Sequence, residues 1–154
     1  MKQGNQRWRV CFEPVLKAWD EGGCLKEVKS QPKLTSPEDV ETLLSWMSLV
    51  EQEIVVGVYL DAQNKVLGHE IIHVGGKSAC FVAPSDIFRP AIFYSASSIV
   101  VAHNHPSGDS APSSEDEDVT VRLKNLGELM DIILLDHLII ASGGNYSFLR
   151  DGNL

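Results

Sequence analysis

His103 and His105 stand two residues apart at the end of the apolar run Ser98 to Ala102, and on a strand that spacing puts both imidazoles on the same side. Two ring nitrogens so placed can chelate a cation. Seven residues separate His105 from Ser113, and Asp116 follows three residues later, adding a carboxylate to the imidazole pair. Two nitrogens and one carboxylate leave a fourth tetrahedral position open for water, which is the ligand pattern of catalytic zinc; structural zinc sites close all four positions, often with thiolates. None of Cys11, Cys24 and Cys80 falls in this tract. Each piece also has an ordinary reading. Paired histidines occur on surfaces and in cores, Ser113 with Asp116 forms a capping box, and the acids from Glu115 to Asp118 suit any helix N-terminus. It is their combination, directly after a buried strand, that points to a metal able to activate water.

Several elements must position these groups. Thr35-Ser36-Pro37-Glu38-Asp39 opens a helix whose apolar face is Val40, Leu43, Leu44 and Met47. Ile54 to Leu60, the polar turn Asp61 to Lys65, and Val66 to Val74 read as a β-hairpin. A third strand is expected over Ala79 to Ala83. After Pro84, Ser85-Asp86 is expected to cap a second helix to about Ser97, with Ile87, Ala91 and Tyr94 at roughly helical spacing and Pro90 tolerable only within the first turn. Ser98 to Ala102 has the length and composition of a strand buried on both faces. A third helix runs from about Ser113 to Met130, with Val119, Leu123, Leu126 and Met130 on one face and Gly127 weakening its last turn. Ile132 to Ala141 and Tyr146 to Leu149 are the closing strands. This alternation implies a mixed α/β layer fold.

The 154 residues suffice for one core, and 44% hydrophobic with 22% charged residues excludes a disordered chain. Thirteen Lys and Arg against 21 Asp and Glu give a net charge of −8, which disfavours direct nucleic-acid binding by this chain alone. An odd number of cysteines without a CxxC pair suits a reducing compartment, and no apolar run has signal-peptide or membrane-span length. The expectation is a soluble, cytoplasmic protein without membrane partners. Residues 1–34 read as an arm or small extra element, and 35–154 as the domain proper.

The tract His103-Asn104-His105-Pro106-Ser107-Gly108-Asp109, with Pro112-Ser113 and Asp116, resembles the JAMM (MPN+) metalloprotease signature in the form typical of the RadC family. The resemblance extends over roughly Thr35 to Leu154, including LLDHLII at 134–140 and the closing Gly152-Asn153-Leu154. It implies a JAB/MPN (cytidine-deaminase-like) three-layer domain, a mixed β-sheet flanked by helices. It also implies a Zn2+ centre held by His103, His105 and Asp116. The family pattern places a glutamate on an earlier strand. The segment VLGHEIIHVGG at 66–76 matches it with Glu70, so Glu70 is expected as the acid/base beside the activated water. Ser113 is expected to donate a hydrogen bond to the oxyanion of the tetrahedral intermediate. The implied activity is a metallopeptidase or isopeptidase acting on a peptide or protein substrate.

The chain departs from that pattern at Ala83-Pro84-Ser85-Asp86, where many relatives carry His-Pro-Arg-Glu, and at Gly76, which replaces a hydroxyl residue. Both changes leave the implied metal triad intact but bear on the substrate contacts that the resemblance implies. The family's full-length form also carries an N-terminal DNA-binding module that residues 1–34 do not resemble, so its DNA-repair association transfers weakly. His69 and His73 fit no ligand motif and are expected at exposed strand positions. His137, beside Asp136, reads as a satisfied core residue, with support of a metal ligand as the minor alternative. Cys80 reads as a small buried hydrophobe, and the tryptophans as packing. Two other function classes compete. One is a non-catalytic, metal-stabilised adaptor in DNA repair or mobile-element biology. The other is a zinc nucleobase deaminase, which requires an HxE pair and a PCxxC stretch that this chain lacks.

Overall fold

A computed structural model describes residues 32–75 and 82–154. All but the last three residues of the expected N-terminal arm, with Trp8, Trp19, Cys11, Cys24, and also Gly76, Cys80 and most of the expected third strand, lie outside the described residues. Val82 and Ala83, the described end of that strand, are not in a strand, and the next helix starts directly after them.

Within Lys33–Leu154, which form one compact unit, α1 (Pro37–Leu43) opens as its sequence predicts. Asp39 accepts from the Thr35 and Ser36 N–H groups at 2.7 and 3.1 Å, and Pro37 occupies the first turn. A 3₁₀ turn, Ser45–Leu49, then replaces the continuous helix expected through Met47, yet Val40, Leu44 and Met47 are all buried. β1 (Ile54–Leu60) and β2 (Val66–Val74) form the expected hairpin. Its turn is held by Asp61 Oδ1, which accepts from Gln63 and Lys65 N–H at 2.8 and 2.9 Å.

α2 (Pro84–Phe93) begins and ends earlier than expected: Ala83, not Ser85 or Asp86, is its N-cap, and Ser95 at φ +54° closes it. Pro90 is consequently well inside the helix, where it leaves the Asp86 carbonyl without its helical donor; Asp86 is exposed, so water can serve that carbonyl. β3 (Ser98–Asn104) is buried along its whole length. After α3 (Ser114–Leu129) come β4 (Ile133–Ile140) and β5, only Tyr146–Ser147 where a strand to Leu149 was expected.

The buried residues of α3 are Asp116, Thr120, Leu123 and Gly127, so its innermost line is turned away from the expected stripe, and Met130 is exposed. Gly127 explains the rotation. A Cβ there would lie 2.4 Å from the Ile132 carbonyl oxygen, because helix and chain meet backbone to backbone. Helix propensity alone favours Gly127→Ala by about 1 kcal/mol. The contact opposes it, and the substitution is expected to destabilise the protein by roughly 1–3 kcal/mol, read as a lower urea midpoint at unchanged m value.

The sheet has the order β2-β1-β3-β4-β5, antiparallel except for the β3–β4 pair. Alternation along β1 and β3 sorts side chains to two cores. Ile54, Val56, Val58, Val100 and Ala102 meet α1 and the 3₁₀ turn on one face. Val55, Tyr59, Ile99 and Val101 meet α2 and α3 on the other. The result is a three-layer α/β domain of the expected class. A bulge interrupts β3–β4: Ile99 pairs with Leu134 but Val100 with Asp136, so Leu135 is skipped and His137 comes opposite Val101. Among the described residues, no helix is long and apolar enough to cross a membrane.

Candidate metal centre

His103 lies on β3 with its ring toward α3, and His105 follows just beyond the strand, its N–H bonded to the Ile140 carbonyl at 3.0 Å. The turn after it needs Gly108 at φ +86°, a conformation that side chains disfavour, and returns the chain to Ser113, the N-cap of α3. Ser113 N–H and Oγ–H both donate to Asp116 Oδ2, at 2.8 and 2.7 Å, and Asp116 N–H donates back to Ser113 Oγ at 3.2 Å. Asp116 is thereby aimed from the first turn of α3 at the histidines.

The three side chains converge. His103 Nε2 is 3.1 Å from His105 Nε2 and 3.1 Å from Asp116 Oδ1, and His105 Nε2 is 3.7 Å from Asp116 Oδ2. A zinc tetrahedron with bonds near 2.05 Å has edges of about 3.3 Å, between these separations. His105 Nδ1 lies 2.8 Å from the Asp109 carbonyl, which can only accept, so its proton sits on Nδ1 and Nε2 offers a lone pair. Lone pairs and carboxylate oxygens crowded together are mutually repulsive unless a cation joins them. Two imidazoles and a carboxylate are a donor set that fits Zn2+.

Glu53 also belongs to this group. Its carboxylate, His103 and His105 each present a ligand atom within 4.8 Å of the others. Register explains why: Val55 pairs with His103, so Glu53, two residues earlier, returns to the same side beside His105. Asn104 points the opposite way and grips the loop that carries Glu53. It accepts from Ile54 N–H at 2.8 Å and donates to the Val50 and Gln52 carbonyls, both at 3.1 Å. Burial raises the pKa of Glu53, an effect partly offset by His103 and His105. Burial acts in the same direction on Asp116 but is overcome, because the adjacent His103 and His105 rings and the hydrogen bond from Ser113 favour its charged form and hold that carboxyl well below its ordinary range. Proximity of the Asp116 carboxylate in turn raises the pKa of His105, against the effect of its burial.

Glu70 does not join the site. It lies on the edge strand β2 opposite Gly57, two strands from β3, and its Oε1 accepts from Tyr94 OH at 3.0 Å. Two strand spacings alone exceed 9 Å or so, beyond hydrogen-bond reach of the His103 row. The residue expected as the acid/base is thus not brought to the histidines, and Glu53 is the glutamate that stands beside them. Ser113, expected as an oxyanion donor, has its one hydroxyl hydrogen engaged by Asp116, whose carboxylate it orients. His69 is buried rather than exposed, and His73 is half-buried opposite Val55, near enough to favour the charged form of Glu53. A water-sized cavity of about 20 Å³ lies beside the site, lined by Val55, Val82, Val101, His103, Asp116 and His137. Val82 directly precedes the divergent Ala83–Asp86 stretch, so that change borders the site.

Sequence reasoning missed Glu53 because it sits in an irregular loop, outside any strand pattern. The available signal was the pairing of the hairpin's first strand with the HNH strand. It also passed over Thr120 and gave support of a metal ligand only as the minor alternative for His137, which is fully buried between Phe148, Thr120 and His103. Burial lowers the pKa of His137 far below the ordinary imidazole range, and the His103 ring adds to this.

The family model described as the RadC-like JAB domain matches residues 34–154. Similar curated relatives include several called UPF0758 proteins. One from Clostridium perfringens is 46% identical over 112 residues, 72% of this chain and 49% of the relative. One from Thermotoga maritima is 41% identical over 122 residues, 79% of this chain and 55% of the relative. A third, from Methanosarcina mazei, is 41% identical over 120 residues, or 77% and 52% of the two chains. The chain thus spans about half the length of the curated relatives it matches.

Proposed function

From the premise that this chain belongs to the RadC-like JAB domain family, we propose that it is a zinc-dependent hydrolase of peptide or isopeptide bonds. One observation carries the reading: the ligand atoms of His103, His105 and Asp116 converge at 3.1–3.7 Å with the half-buried Glu53 beside them. Zinc held by this set supplies Lewis acidity, bringing the pKa of water at the site toward about 7.

The protein's own groups do the rest. Glu53 stands where its carboxylate can take a proton from the attacking water and return it to the leaving amine; its burial-raised pKa suits both transfers. Ser113 keeps Asp116 aimed, and Asn104 keeps the Glu53 loop against β3. Val55, Val82 and Val101 form the apolar side of the pocket beside His103 and Asp116.

Zinc content, measured by elemental analysis of the purified chain and of its His103→Ala variant, tests this directly. About one zinc per chain is expected for the unaltered protein, at an affinity well below micromolar, and a large loss in the variant. Failure of the unaltered protein to bind zinc or another divalent metal at micromolar concentration would sink the hydrolase reading. Zinc binding with no cleavage across a peptide and isopeptide library would favour the metal-stabilised adaptor in DNA repair or mobile-element biology. In that role a protein partner would supply any DNA contact, since a net charge of −8 repels a polyanion.

A further inference from the structure

We infer that Thr120 and His137 are positioning residues that hold the proton of His103 on Nδ1 and so keep its Nε2 lone pair turned toward Asp116 and His105. The consequence for metal binding rests on the zinc reading above; the hydrogen-bond direction does not.

The direction follows from one atom that cannot donate. Thr120 Oγ1 lies 2.6 Å from the Asp116 carbonyl oxygen, which carries no hydrogen, so the hydroxyl must donate to it. The same Oγ1 lies 2.6 Å from His137 Nδ1. Its hydrogen is already engaged, so Nδ1 must be the donor there. His137 is 1% exposed, and its ring nitrogens meet only the Thr120 hydroxyl and the His103 ring among the described contacts. A second proton would bury a charge with no carboxylate in contact, so His137 Nε2 accepts. His103 Nδ1, 2.9 Å away, is then the donor, and the neutral ring keeps its lone pair on Nε2.

The reverse order would set two acceptors against each other at 2.6 Å, between Thr120 and the Asp116 carbonyl. Phe148 stacks on the His137 ring at 5.0 Å and 7°, which holds its plane in the chain of bonds. The series begins on the backbone of one proposed ligand, Asp116, and ends on the ring of another, His103. Both of these residues would hold the proposed zinc. A core residue chosen only for volume would not need a hydroxyl at position 120.

The test uses the full chain, zinc ions alone as probe, and the variants Thr120→Val and Thr120→Ser. Long-range ¹⁵N–¹H spectra of the metal-free protein are expected to show protons on Nδ1 of both His103 and His137, with His137 Nε2 bare. Thr120→Val is expected to weaken zinc binding about tenfold or more, whereas Thr120→Ser, which keeps the hydroxyl, stays within about threefold of the unaltered protein. A bare Nδ1 on His103, or equal zinc affinity for the Val and Ser variants, would overturn the inference. If Thr120→Val does not fold, the spectrum of the unaltered protein decides. If the unaltered protein binds no zinc, the metal reading fails by itself and the spectrum still rules on the relay.

Discussion

Glu53→Gln is expected to lower kcat by roughly 10²- to 10⁴-fold, the usual worth of a positioned general acid/base, while zinc stays bound. Glutamine preserves the volume and polarity of the side chain but cannot take a proton at neutral pH. The proposed zinc ligands His103, His105 and Asp116 are untouched, and Asn104 still holds the loop through Ile54, Val50 and Gln52. The decisive comparison is Glu70→Gln, which alters only a hydrogen bond to Tyr94 at the edge strand and is expected to leave kcat within about twofold, as for a site away from the chemistry. Both are measured as kcat and zinc stoichiometry on the same preparations, with a substrate drawn from the peptide and isopeptide library. If Glu53→Gln loses its zinc, Glu53 is a ligand rather than a base. If Glu70→Gln is the inactive variant, the assignment made from the geometry is wrong.

Asp136→Ala carries the largest expected loss of stability. The Asp136 carboxylate is 3% exposed and accepts three hydrogen bonds: from His137 N–H at 2.7 Å, Leu149 N–H at 3.0 Å and Ser147 Oγ–H at 2.6 Å. It thereby fastens the C-terminal segment to β4, where β5 contributes only two residues of ladder. Alanine strands these buried donors, and breaking such a group by removing one side costs about 3–5 kcal/mol. Against a total stability of about 5–15 kcal/mol, that is a large fraction. Asp136→Asn can still accept two of the bonds, and about 1–2 kcal/mol is expected for it. Urea unfolding of the three proteins checks the order. Phe148, which lies in the tethered segment, stacks on His137, so the alanine variant should also bind zinc more weakly even where it remains folded.

The difference between Glu53 and Glu70 shows where reading the chain stops. Glu70 was expected at the site because the segment VLGHEIIHVGG resembles the family pattern, and that likeness carries no information on which glutamate the register brings to the histidines. Glu53 precedes its strand in a loop whose path depends on Asn104, 50 residues away or more in the chain. No local periodicity records that contact. His137 is a similar case. Its neighbours Asp136 and Leu138 suggest only a buried strand, and its ring turns to His103 because the β3–β4 pairing skips Leu135. Unbroken pairing from Ile99 with Leu134 would set His137 opposite Ala102, on the α1 face.

What the sequence determined by itself was whatever short-range geometry controls. The two-residue spacing of His103 and His105 on a strand, the three-residue reach from Ser113 to Asp116 at a helix cap, the hairpin and the layer class all follow from the local periods of strand and helix. Tertiary structure alone decided that Glu53 and not Glu70 joins the histidines and Asp116, how α3 is rotated at Gly127, and how His137 and Thr120 face the site. Those depend on register, a bulge and a backbone contact between segments distant in the chain, and the energies that choose among such pairings are spread over many residues rather than written at any one of them.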